Sequence, residues 1–148
     1  MVGALHQCYH RHAYMTRIES KKVQVNGSPE AVRAYLTNTD NIVNLLPSER
    51  ISDWKSTGTS CSFKVQGAYT IGLELIAGEE TKEIRFRSTD GSPFPFTLTV
   101  HLPEKEAGTE VWQVCDAQLN PFLVMIVKEP LRNLFDYMAD KLVLQFPS

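Results

Sequence analysis

The sequence predicts an α+β domain in which an antiparallel sheet of about seven strands packs one face against a long C-terminal helix, with two short helices after the first strand. Three observations carry that reading. Between Arg50 and Leu119, six short segments alternate apolar and polar residues and are parted by turn dipeptides. From Pro121 onward the apolar residues change to helical spacing. Near the start, Asn26-Gly27-Ser28-Pro29-Glu30 comes after an apolar segment and marks a helix beginning.

Residues 1–14 (MVGALHQCYHRHAY) share no periodicity with the rest of the chain and read as a flexible N-terminal extension ahead of one domain spanning 15–148. His6, Cys8, His10 and His12, at spacing two, are of types that ligate transition metals. No carboxylate cluster or second cysteine pair completes such a site, so no metal and no cofactor is expected. Ile18 to Val25 (IESKKVQV) suits a first strand, with imperfect alternation at Ser20 to Lys22. Ser28 then caps a helix with Pro29 at its first position, where a missing N–H goes unnoticed. Ala31, Val32, Tyr35 and Leu36 form its apolar face, and it should end near Asn38. Asp40 is the expected cap of a second short helix through Ile42, Val43, Leu45 and Leu46, stopped by Pro47.

The predicted strands are Arg50–Ser56, Ser60–Gln66, Ala68–Ala77, Lys82–Thr89, Phe94–Pro103 and Thr109–Leu119. Turn signals separate them at Thr57-Gly58, Gln66-Gly67, Gly78-Glu79, Asp90-Gly91 and Ala107-Gly108. Alternation puts Phe63, Tyr69, Leu73, Phe86, Leu98 and Val100 on a covered face, and Lys64, Glu74, Arg85, Arg87, Thr99 and His101 on a wet one. The last helix, Pro121 to Phe146, has Asn120 as its cap and a stripe of Leu123, Val127, Leu131, Leu134, Phe135, Met138 and Leu142. Pro130 interrupts it, so a kink or break near Val127 is expected. Before that proline the helix is apolar all round, so Phe122, Met125 and Ile126 call for a cover of core, ligand or partner chain.

Composition narrows the function classes. The chain has 148 residues, 43% hydrophobic and 22% charged, with a formal net charge of −2. That is long enough to bury a core and far from the basic footprint of a nucleic-acid binder. Cys8, Cys61 and Cys115 form neither a disulfide framework nor a zinc pattern, and reduced thiols fit a cytosolic protein. No secretory signal is read at the N-terminus. The longest apolar run, Phe122 to Val127, is far short of the roughly 20 residues a membrane span needs.

The order strand, two short helices, six strands, long helix is that of the helix-grip fold, in which a curved sheet wraps the last helix and leaves a cavity. The motifs agree. Val25-Asn26-Gly27-Ser28-Pro29-Glu30-Ala31-Val32, Asp53-Trp54, Cys61-Ser62-Phe63 and Gly67 are joined by Pro93-Phe94-Pro95-Phe96-Thr97-Leu98, Leu119-Asn120-Pro121-Phe122 and Lys128-Glu129-Pro130-Leu131. On these, the chain from Ile18 to Phe146 resembles the START-like superfamily, also called Bet v 1-like or polyketide cyclase-like (SRPBCC), and its small bacterial members in particular. The resemblance implies a cavity for an apolar or amphipathic small molecule, lipid- or polyketide-like. It implies no catalytic set, because fold alone does not fix function.

Inward parity supplies the candidate handles of such a cavity: Tyr69, Ser88, Gln113 and Cys115, with Trp54 or Asp53 on a strand whose faces alternation does not settle. Tyr69 and Gln113 are expected to orient a ligand's polar end. Phe63, Ile71, Leu73, Phe86, Phe96, Leu98, Leu134 and Met138 would bury its body, against the plainer reading that they only fill a core. Equipment for catalysis is thin. His101 falls on the outer face, no histidine stands by to activate Cys115, and parity turns Glu74 and Asp116 outward and leaves Asp53 alone. Binding or carriage is therefore favoured, with a cyclase or dehydratase second. A non-catalytic interaction module or homodimer built on Phe122 to Val127 is third. An interior without a ligand-sized pocket would weigh against the first two.

Overall fold

Both α-helices carry the N-caps expected of them. The computed structural model describes residues 15–67, 69–77 and 83–147; His6, Cys8, His10 and His12 and the Gly78-Glu79 turn lie outside the described residues. Ser28 Oγ accepts the Ala31 N–H at 3.1 Å to open α1 (Pro29–Thr37), and Asn120 Oδ1 accepts the Leu123 N–H at 2.8 Å to open α2 (Pro121–Gln145). A 3₁₀ helix, Thr39–Leu45, lies between them in sequence. Its cap is Asn38, whose side chain accepts the Asp40 N–H at 3.1 Å, and not Asp40 as expected. Asn38 ends α1 and begins the 3₁₀ helix at once, so Asp40 falls into the first turn, where its charge suits the helix dipole.

The sheet holds nine strands among the described residues: β1 (Met15–Glu19), β2 (Val23–Val25), β3 (Ile51–Ser56), β4 (Ser60–Val65), β5 (Tyr69–Ala77), β6 (Glu83–Ser88), β7 (Phe96–His101), β8 (Glu104–Lys105) and β9 (Gly108–Gln118). Seven run in one antiparallel path, β1-β9-β7-β6-β5-β4-β3, while β2 and β8 pair with the start of β9. This is the helix-grip order. At the β4–β5 hairpin, where three residues join the pair Val65–Tyr69, Gln66 and Gly67 both take positive φ, 52° and 69°.

The first strand is split in two, which explains its faulty alternation. Ser20 leaves the ladder after donating its N–H to the Gln113 carbonyl, and its Oγ accepts the Gln113 N–H, both at 2.9 Å. Lys21 then turns to α2, its N–H bonding Asp136 at 2.7 Å and its Nζ reaching Asp140 at 2.8 Å. Asp53, at φ 54°, sits in a register shift between Ser52 and Lys55, so no strict period passes through β3.

The two faces separate as predicted. Phe63, Leu73, Ile84, Phe86, Leu98 and Val100 are buried, whereas Arg85 and Arg87 are exposed on an outer face carrying the Arg17–Asp116 and Arg87–Glu74 ion pairs at 3.0 and 2.9 Å. Against the inner face lies α2, burying Val127, Leu131, Leu134, Phe135, Met138 and Leu142. It runs unbroken through Pro130, so of the two expectations for that residue a break is corrected: the ring stands on the exposed side and the buried stripe keeps its register across it. Phe122, Met125 and Ile126 are 69%, 84% and 50% exposed, without the cover among the described residues that their apolar character calls for.

Candidate functional site

Where the sheet closes on α2, packing is tight but incomplete. Two small apolar voids remain in the interior. The first is walled by Leu73, Phe86, Leu98, Val100, Val111 and Gln113 of the sheet, Met138 and Leu142 of α2, and Leu36, Ile42 and Leu45 of the short helices. The second is walled by Phe63, Ile71, Leu73, Phe96, Leu98 and Cys115 of the sheet and by Leu131, Leu134, Phe135 and Met138 of α2. Leu73, Leu98 and Met138 belong to both walls, so those three side chains are what parts one void from the other.

Their size is decisive for what they hold unaided. The first offers about 30 Å³ and the second about 10 Å³ to the centres of water-sized molecules. That admits one or two waters, whereas ligand pockets run to roughly 300–1,000 Å³. The ligand-sized cavity that the fold led us to expect between sheet and α2 is thus absent among the described residues, because Met138 and the long side chains of β4, β5 and β7 fill the space.

The only polar wall residue of the first void is Gln113, 7% exposed. Ser20, at the split in the first strand, pins its backbone. The Gln113 Nε2 donates to the Phe135 carbonyl of α2 at 3.3 Å, which fixes the amide's orientation, since a carbonyl only accepts. Its Oε1 is then left buried without a hydrogen-bond partner among the described residues. An orphan acceptor in an apolar wall costs about 1–3 kcal/mol and is rare enough to demand a reason.

Of the twelve residues predicted to form the site, ten line the voids: Phe63, Ile71, Leu73, Phe86, Phe96, Leu98, Gln113, Cys115, Leu134 and Met138. Trp54 and Tyr69 do not. Trp54 lies behind Phe63, stacked on it at 6.3 Å, and Tyr69 pairs with Val65 at the hairpin end of β5, half-buried, with burial pushing its phenol pKa up. Tyr69 and Gln113 therefore do not share a void, and Ser88 is engaged elsewhere, accepting the Phe96 N–H at 3.0 Å. Sequence reasoning left eight wall residues out of the site: Val100, Val111, Leu131, Phe135 and Leu142, and also Leu36, Ile42 and Leu45, whose amphipathic faces were plain but whose placement over the first void was not.

The electrostatics of the walls are simple. Among the described residues, Cys115 is the single ionisable group lining either void, and its thiol is pushed up to about 12, chiefly by burial and secondarily by Asp116. Such a thiol stays protonated and unreactive near neutral pH. His101 stands on the outer face as expected, stacked on Trp112 at 4.9 Å with Glu83 at 3.8 Å from its Nδ1. Cys61 and Cys115 are free, no described His, Cys, Asp or Glu group has metal-site geometry, and no described helix is long and apolar enough to cross a membrane.

No protein-family model and no curated protein matches the chain. Solved structures do. Norcoclaurine synthase from Thalictrum flavum, in complex with dopamine and hydroxybenzaldehyde, is 16% identical, with 94% of this chain and 93% of that chain covered and a TM-score of 0.61. A protein from Chromobacterium violaceum is 14% identical over 91% of this chain and 99% of that one, with a TM-score of 0.66. An uncharacterized protein from Bacillus thuringiensis is 16% identical over 89% and 98%, at a TM-score of 0.65. Likeness at these identities establishes the fold and nothing finer.

Proposed function

From the Bet v 1-like helix-grip fold that the chain shares with these structures, we propose that it binds or carries an apolar or weakly amphipathic small molecule, lipid- or polyketide-like, between the sheet and α2. The observation that carries the reading is Gln113 Oε1, a buried acceptor with no partner among the described residues, in the wall of an otherwise apolar void. A ligand hydroxyl or N–H would satisfy it.

The small voids count against a standing pocket, so opening is part of the proposal. Met138 is shared by both, and its flexible thioether chain changes rotamer at little energetic expense. Moving it aside, with Leu73 and Leu98 yielding, would join the two spaces into one chamber. A wall with no group that titrates near neutral pH favours holding over proton transfer, which is why carriage is preferred to cyclase or dehydratase chemistry. The free thiols of Cys61 and Cys115 support a reducing, cytosolic setting.

Native mass spectrometry of the protein purified from its own host tests this directly. A co-purifying small molecule of apolar character, lost on denaturation, is the expected result. A second reading rests on the exposed Phe122, Met125 and Ile126, which we propose as the seam of a homodimer. An empty dimer in the same spectrum would favour it over the first.

A further inference from the structure

A surface cleft of about 190 Å³ adjoins the second void at a shared wall residue. Its walls are Pro47, Arg50 and Ile51, then Val65 and Gln66 at the β4–β5 turn, and Pro130, Asn133 and Leu134 of α2. Leu134 also lines the second void, and Val65 stands two residues from Phe63, another of its wall residues. Leu134 is thus the wall residue that the cleft and the second void have in common. Pro130, which has no N–H to give the Ile126 carbonyl, lines the cleft one turn before Leu134.

The mouth is chemically uneven. Its floor is apolar, through Pro47, Ile51, Val65 and Leu134, while Arg50 and Asn133 stand exposed at the rim. Among the described arginines, Arg17, Arg85, Arg87 and Arg132 form ion pairs, whereas Arg50 and the distant Arg33 of α1 do not, and of these two only Arg50 lines the cleft. An uncommitted guanidinium over an apolar floor is suited to a compact anion attached to a hydrocarbon or aromatic body.

We propose that this cleft is the entrance to the interior, that its ligand is an apolar monoanion such as a carboxylate or sulfonate, and that Arg50 holds the anionic end at the mouth while the body passes Leu134. The proposal rests on the interior-binding reading and adds the route and the charge. It orders the ligand from outside in: anion at Arg50, apolar body past Leu134 and Met138, hydrogen-bond donor at Gln113. Net charge is slightly negative, so the guanidinium is a local preference against the overall field.

Two fluorescent probes of one scaffold test it on the full chain: 1-anilinonaphthalene-8-sulfonate, and N-phenyl-1-naphthylamine, which lacks only the sulfonate. Arg50→Gln should weaken the sulfonate about three- to fivefold, the scale of an exposed charge pair, and leave the neutral amine unchanged. Added salt should weaken the sulfonate alone. Leu134→Trp, which adds bulk at the shared wall residue, should slow association of both probes, and Phe122→Ser, outside the route, should alter neither. If the wild type binds both probes and Arg50→Gln treats them alike, the entrance proposal is overturned while interior binding stands. If the wild type binds neither, interior binding falls and takes the entrance with it.

Discussion

The two voids share three wall residues and differ in nearly everything else. The one beneath the short helices contains Gln113 and an unsatisfied oxygen, and lies away from the cleft. The one above Cys115 is wholly apolar apart from that thiol, and it shares Leu134 with the surface cleft. Imperfect packing of aliphatic side chains accounts for the second without any function. It does not account for the acceptor in the first, which needs a donor, from a water in the void or from a ligand. The proposed binding site therefore rests on the unpaired acceptor of Gln113 and not on empty space.

Enlarging each void separately gives the largest effects. Phe86→Ala opens the first and Phe63→Ala the second, and both rings are almost fully buried. Each should lose about 3–5 kcal/mol in urea denaturation. The contrast lies in what fills the space. Crystals of Phe86→Ala should show water bonded to Gln113 Oε1, whereas the space left in Phe63→Ala should stay dry and take up xenon or benzene. Water in both, or in neither, would erase the distinction.

The next effect is pH dependence from the two buried thiols. Burial raises both Cys61 and Cys115 from 9.0 to about 12, with Asp40 and Asp116 adding to it. An acid whose folded pKa is raised binds more protons when folded, so this stabilisation is complete below about pH 9 and is lost as pH climbs toward 12. Urea midpoints measured from pH 8 to 11 should fall, and Cys115→Ala should flatten the fall. A midpoint indifferent to pH over that range would show that neither thiol is shielded. Smaller still, Gln113→Leu should stabilise the empty protein by about 1 kcal/mol, since it removes the orphan acceptor at the expense of one long hydrogen bond to Phe135.

Much of this was legible in the residues. Period two and period 3.6 placed six strands and both capped helices within about two residues, and the same parity turned His101 outward and Leu98 inward. Parity assigns a face, however, and not a position along the strand. Tyr69 has the right face but sits opposite Val65 at the hairpin, well short of Leu73 along the same strand. Trp54 lies in a bulge, where the period itself fails. Leu36, Ile42 and Leu45 showed their apolar faces but not the void they cover, which depends on how the chain reverses at Asn38. The closed interior was beyond reach for another reason: a cavity is a difference between side-chain volumes and backbone spacing, and sequence patterning reports only the first.

The central claim is that Gln113 serves a ligand, and one titration tests it. N-phenyl-1-naphthylamine and 1-benzylnaphthalene have the same shape and differ by an N–H in place of a methylene. Wild-type protein should bind the amine about fivefold more tightly, the scale of one hydrogen bond, and Gln113→Leu should bind the two equally. Equal affinities in the wild type, or a preference for the amine that survives Gln113→Leu, would contradict it.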